Sequence, residues 1–202
     1  MKNIAVFASG SGTNLQAIID NIAAGTLKAN LALVVSDKRK AFALERARKA
    51  GIKTLFADPK KFETKEDYEK YIIGHLKQEN VELIVLAGFM RIVGPALIKK
   101  YKNRILNIHP ALLPAFKGGC AIKDAFHYGV KLTGVTVHIV DEKVDHGPII
   151  LQEAVYVSGG ESVKELGERI HRVEHKIYSQ AIRKALSGNL VIKGRKAVFS
   201  SK

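Results

Sequence analysis

The chain has 202 residues, 47% of them hydrophobic, which suffices for one buried core, and its single cysteine, Cys120, excludes an internal disulfide. No stretch approaches the roughly 18 consecutive apolar residues of a membrane span, and the N-terminus runs directly into a strand pattern instead of a cleavable signal, so the sequence reads as a soluble cytoplasmic protein without a membrane partner. Against 19 Asp and Glu stand 33 Lys and Arg, a net charge of +14 scattered over helix faces without the aromatic interleaving of a nucleic-acid module, which favours anionic small molecules.

In chain order, "KNIAVFAS" (2–9) is apolar without alternation, as in a strand buried on both faces. A glycine turn and a helical pattern, "TNLQAIIDNIAAG" (13–25), follow. The rhythm repeats with strand "NLALVVSD" (30–37), helix "KAFALERARKAG" (40–51) and strand "IKTLFA" (52–57). It continues with helix "KEDYEKYIIGHLKQE" (65–79), strand "VELIVLAGF" (81–89), helix "GPALIKKYK" (94–102) and strand "RILNI" (104–108). Strands and helices alternating at these lengths predict an α/β, Rossmann-like, mostly parallel sheet with helices on both faces.

After residue 117 the pattern changes: helix "AIKDAFHYGV" (121–130), then "KLTGVTVHIVD" (131–141) and "GPIILQEAVYV" (147–157), two runs close enough to pair antiparallel. A long helix, 161–188, closes the core, and residues 191–202 read as a basic tail or a small hairpin. No linker or internal repeat intervenes, so one domain is expected over residues 1–190, with a nucleotide-binding half to about residue 105 and a mixed half over about 106–190.

Gly10, Gly12 and Asn14 lie between the first strand and helix, where unpaired N–H groups favour a phosphate; Leu15 replaces the third glycine of a dinucleotide fingerprint, so a phosphomonoester at Gly12, Thr13 and Asn14 is preferred to a dinucleotide or a plain turn. Asp37 reads as ordinary turn chemistry. In "LNIHPALLPAFKG" Asn107 and His109 are spaced i, i+2 and so share one side of a strand end. An imidazole there stabilises an oxyanion if a carboxylate keeps it charged; Asp145 is the leading candidate, with Asp141 and Glu142 rivals in the same turn. His138 reads as a core residue or one behind the site. His171, Glu174 and His175 share a helix face, but the spacing is not that of a zincin and no metal is expected. "LAGFMRIVGP" bends after a strand and offers an apolar pocket wall with one cation, Arg91.

The segments "FASGSGTNLQAIID", "VLAGFMRI", "LNIHPALLPAFKG" and "GVTVHIVDEKVDHGPIILQ" together resemble, in order and spacing, the phosphoribosylglycinamide formyltransferases of the folate formyltransferase superfamily, over the chain to about residue 190. The resemblance implies the formyltransferase fold, with an antiparallel C-terminal strand, and makes the second half the folate and catalytic half. It implies formyl transfer from 10-formyltetrahydrofolate, as cosubstrate, to glycinamide ribonucleotide in purine synthesis, without a metal or nucleic acid, by a monomer or homodimer.

Carried over position by position, it makes Asn107, His109 and Asp145 catalytic, and gives the substrate phosphate to Gly12, Thr13 and Asn14 and the ribose to Glu174. Lys65, Met90, Arg91, Ile92, Val93, Asn107, Val140, Asp141, Glu142 and Asp145 would contact the folate, Lys65 standing where relatives carry an arginine. Gly119 and Cys120 depart from the family pattern, which has a larger apolar residue and a His or Asp there. Methionyl-tRNA formyltransferase shares the Asn-His-Asp chemistry but normally adds an RNA-binding domain; a formyltetrahydrofolate hydrolase would add a regulatory one.

Overall fold

The computed structural model of the chain describes residues 1–199, so the last three residues of the predicted tail, 200–202, lie outside the described residues. The chain divides into two compact units, Met1–Leu106 and Asn107–Lys202.

In the first unit, β1 (Lys2–Phe7) lies between β2 (Ala29–Ser36) and β4 (Leu83–Leu86) and β2 pairs with β3 (Thr54–Phe56), all in parallel, in the order β3-β2-β1-β4. Ile4 to Phe7 are completely buried, which is why β1 carries no polar alternation. The connections contain α1 (Thr13–Ala23), α2 (Phe42–Lys49), a 3-10 turn at Pro59–Lys61, α3 (Lys65–Gln78) and α4 (Pro95–Lys100). Helix α3 starts where the Thr64 hydroxyl accepts from Asp67 N at 3.1 Å.

Helix α4 has six residues and depends on α3 for its start. The buried Glu69 accepts from Gly94 N through Oε1, and from Ala96 N and Leu97 N through Oε2 at 3.1 and 3.2 Å. Three N–H groups of a helix start thus neutralise a carboxylate that would be costly to bury alone. A Cβ on Gly94 would meet Glu69 Oε1 at 2.6 Å and Lys65 Cε at 2.7 Å.

Strand β4 ends at Leu86, three residues before the predicted Phe89. Gly88 takes a φ of 72°, its carbonyl accepts from Ser9 N at 3.0 Å, and Met90 N donates to Ser9 Oγ at 2.9 Å. The ladder is therefore exchanged for a bend. The same Ser9 hydroxyl donates to Asp37 Oδ1 at 2.6 Å, so Asp37, buried at the end of β2, fixes the bend through Ser9.

The second unit begins at Asn107, within β5 (Ile105–His109), and runs through α5 (Ala121–Tyr128), β6 (Leu132–Ile139), β7 (Ile149–Tyr156), α6 (Val163–Leu186), β8 (Leu190–Lys193) and β9 (Lys196–Phe199), with strand order β5-β6-β7-β9-β8. Strands β6 and β7 are antiparallel from Leu132↔Tyr156 to His138↔Ile149, with a register shift between Val137 and His138. β9 joins β7 in parallel through Ile149↔Lys196 and pairs antiparallel with β8. Helix α6 opens with a reciprocal capping box, Ser162 with Glu165, and packs a buried face that includes Leu166, Ile170, Ile177 and Ile182 against β6 and β7.

One hydroxyl of β6 holds the segment after β5. Thr136 Oγ1 donates to Ala111 O at 2.7 Å and accepts from Leu113 N at 3.0 Å and Gln152 Nε2 at 2.9 Å. The β6–β7 turn closes just as tightly: Ile139 N donates to Pro148 O at 2.8 Å, and a Cβ on Gly147 would stand 1.9 Å from Ile139 O. Gly147→Ala is therefore expected to cost at least about 2 kcal/mol, read as a lower urea midpoint. Gly119→Ala, whose Cβ meets nothing within 4 Å, should leave that midpoint in place.

Candidate active site

The second unit gathers three polar side chains around one carboxylate. Asn107 and His109 project to one side at the end of β5, His138 comes from the end of β6, and Asp145 from the turn that Gly147 closes. Asp145 has a φ of 46°, unusual for a residue with a Cβ, and its side chain is only 9% exposed. Its Oδ2 accepts from Gly118 N at 2.8 Å and lies 3.4 Å from His109 Nδ1; its Oδ1 lies 3.4 Å from Asn107 Nδ2 and 3.7 Å from His138 Nε2. Of the three acids in the turn, Asp145 is the one beside His109. Asp141 instead accepts from Lys143 N and His146 Nδ1, at 3.0 and 2.7 Å, and Glu142 is exposed.

The hydrogens on the two rings follow from their carbonyl partners. His109 Nε2 is 2.8 Å from Phe116 O, and His138 Nδ1 is 2.8 Å from Ile139 O. A carbonyl only accepts, so each of these nitrogens carries hydrogen and the opposite nitrogen of each ring faces Asp145. His138 Nε2, 3.2 Å from Asn107 Nδ2, accepts from that amide when neutral and donates to the carboxylate when charged. Burial alone would raise the Asp145 carboxyl, but contact with His138, the Gly118 N–H and the charge that His109 and His138 carry when protonated outweigh it and hold it below its ordinary value. The arrangement is an anion flanked by two proton-accepting nitrogens and an amide donor, which suits it to stabilise an oxyanion and to pass a proton.

Elsewhere in this unit, Glu174 is buried on α6 with Oε2 at 2.9 Å from His171 Nδ1, a hydrogen bond that raises the His171 pKa. His175 turns inward, and burial lowers its value. Among the described residues no three or more His, Cys, Asp or Glu gather as metal ligands would. Val140 and Asp141 are half-buried; Gly119 and Cys120, where α5 begins, are exposed.

In the first unit, Gly12 caps α1 at a φ of 70°, and its missing Cβ is required, because one would lie 2.8 Å from Ala43 Cβ. The loop is pinned by Ala43 N to Gly10 O at 3.1 Å and by Arg46 Nε to Ser11 O at 2.9 Å. No side chain caps α1, and Thr13 and Asn14 are its first two residues, at the end of the helix where the dipole favours a phosphate. After the bend at Gly88, Met90 and Ile92 are exposed, Val93 is buried, and Arg91 lies over the Tyr68 ring at 5.3 Å. Lys65 is exposed at the first position of α3, one helical turn before Tyr68.

Three contributors escape a reading of side chains along the chain. His138, whose strand position reads as a core residue or one behind the site, is buried and lies 3.7 Å from Asp145 Oδ1, a contact that its place in the strand does not reveal. The other two are backbone groups, Phe116 O and Gly118 N; the only signal for them is the glycine pair in "FKGG".

A family model described as formyl transferase matches residues 2–182. The chain is 44% identical to phosphoribosylglycinamide formyltransferase of Bacillus subtilis over 189 residues, covering 94% of this chain and 97% of that protein. It is 44% identical to trifunctional purine biosynthetic protein adenosine-3 of Gallus gallus over 185 residues, which is 92% of this chain but 18% of that protein. Among solved structures, glycinamide ribonucleotide transformylase 1 from Symbiobacterium toebii superposes with a TM-score of 0.96 at 46% identity, covering 100% of this chain and 95% of that one.

Nitrogen-15 NMR of the histidine side chains should find His109 protonated at Nε2 and His138 at Nδ1 in their neutral forms; the reverse tautomer on either ring would remove the anchoring described. Because the folded-state value of Asp145 is depressed, its contribution to stability is complete above the unfolded value of about 3.9. It is lost as the pH falls through the folded value, so Asp145→Asn should flatten the acid limb of the stability curve.

Proposed function

The chain belongs to the formyl transferase family, and on that premise we propose that it transfers the formyl group of 10-formyltetrahydrofolate to the amine of glycinamide ribonucleotide. The products are formylglycinamide ribonucleotide and tetrahydrofolate, within cytoplasmic purine synthesis. The observation that carries this reading is the convergence of Asn107 and His109 on the Asp145 carboxylate, at 3.4 Å each.

In the proposed mechanism the amine nitrogen attacks the formyl carbon and the carbonyl electron pair moves to oxygen. Asn107 Nδ2 and a protonated His109 Nδ1 donate to that oxyanion, with the His109 ring held by Phe116 O and its charge matched by Asp145. Asp145 takes the proton released by the amine and passes it, directly or through water, to the folate nitrogen as the old C–N bond breaks. Atoms balance: one N–H and one N–CHO exchange places.

The remaining assignments follow the same reading. Gly12, Thr13 and Asn14 take the phosphate and Glu174 the ribose hydroxyls. Met90, Ile92 and Val93 form apolar wall, Lys65 and Arg91 meet the glutamyl carboxylates, and the Val140, Asp141, Glu142 and Asp145 turn covers the folate.

With purified protein, both substrates should yield formylglycinamide ribonucleotide, followed by the absorbance change of folate deformylation. Transfer to charged initiator tRNA and none to glycinamide ribonucleotide would overturn the proposal. His109→Ala and Asp145→Asn are each expected to lower kcat by about 10²- to 10³-fold or more, while calorimetry still detects substrate binding; near-normal turnover in either would refute the mechanism.

A further inference from the structure

The C-terminal hairpin has no part in the reaction described above, and it lies beyond the residues that the family model matches. Its turn, at Gly194 and Arg195, reaches the β6–β7 turn. Arg195 Nη2 donates to His146 O at 2.7 Å, and Nη1 lies 2.8 and 3.3 Å from the two ring nitrogens of His146. A donor aligned with one ring lone pair would be much farther from the other nitrogen, so the guanidinium rests against the ring. His146 passes the contact on: its Nδ1 is 2.7 Å from Asp141 Oδ2, and Asp141 Oδ1 accepts from Lys143 N at 3.0 Å.

Two features make this more than a surface contact. Between the tight closure at Ile139 and Pro148 and the buried Asp145, the tip of the turn is open: Glu142, Lys143 and Val144 are exposed, so the tip has little packing of its own to order it. The carbonyl that Arg195 grips also belongs to the residue after Asp145, whose φ of 46° needs support from its neighbours. The hairpin has an independent footing from which to act: Lys196 pairs with Ile149, and Lys184 of α6 lies over the Phe199 ring at 4.6 Å.

We propose that Arg195 is a positioning residue that holds the Asp141–His146 turn in the shape that receives formyl-folate, a role that rests on the formyl-transfer reading above. Its hydrogen bond is charge-assisted but partly exposed, so Arg195→Ala should raise KM for 10-formyltetrahydrofolate about three- to tenfold. The values of kcat and of KM for glycinamide ribonucleotide should stay close to wild type. Arg195→Lys, which keeps a donor but not the flat group against the ring, should recover part of the loss. Lys196→Ala, on the same hairpin with its side chain exposed, should be silent.

Amide hydrogen exchange on the ligand-free proteins supplies a readout that needs no substrate. Exchange across residues 140–146 should quicken in Arg195→Ala while that of β6 is unchanged. Equal exchange in this turn together with an unchanged folate KM would overturn the proposal, as would a loss confined to kcat. If wild-type protein forms no formylglycinamide ribonucleotide, the functional reading fails instead, and the exchange result alone decides whether Arg195 orders the turn.

Discussion

The second unit is organised around the need to satisfy one buried carboxylate. Left unpaired, Asp145 would carry a desolvation cost of several kcal/mol; it is met instead by a backbone N–H, an amide and two imidazoles. The partners come from three pieces of chain, the end of β5, the segment before α5 and the end of β6, and the carboxylate itself from a fourth, the β6–β7 turn. Satisfying one anion therefore fixes four pieces of backbone at once. The Thr136 hydroxyl, saturated by three partners, holds the segment after β5 in the place from which Phe116 and Gly118 take part.

The first unit uses the same device on a smaller scale. Asp37 and Glu69 are both buried, and both spend their oxygens on ordering the chain between β4 and α4. Asp37 works through the Ser9 hydroxyl on the bend at Met90, and Glu69 works on the start of α4. The exposed Met90 and Ile92 are thus carried on a short segment secured at both ends by charge, which keeps an apolar surface in place without burying it.

Much of this was legible in the sequence. Buried parallel strands announce themselves by unbroken apolar runs, which β1 and β2 follow closely, and the helix between them follows its own apolar period. The spacing of Asn107 and His109 carried their common direction, because a strand alternates sides at every residue. Spacing offered no choice among Asp141, Glu142 and Asp145, since a turn has no period; the positive φ of Asp145 and the absence of a Cβ at Gly147 make that choice in three dimensions. The apolar run of β4 continues past the point where Ser9 captures the backbone, so the run extends to Phe89 while the strand ends at Leu86. Phe116 O and Gly118 N are groups that nearly every residue possesses, and Arg195 lies 49 positions from His146, so no local pattern marks them.

The opposed anchoring of the two imidazoles has a consequence for how the centre exchanges protons with solvent. Since one ring is tied through Nε2 and the other through Nδ1, any added proton must enter between the rings and the shared acid, where all three groups compete for it. The three groups thus form one proton-sharing set: a proton that arrives or leaves does so at the atoms that residues 109, 138 and 145 turn toward one another, and never at the two ring nitrogens tied to the backbone.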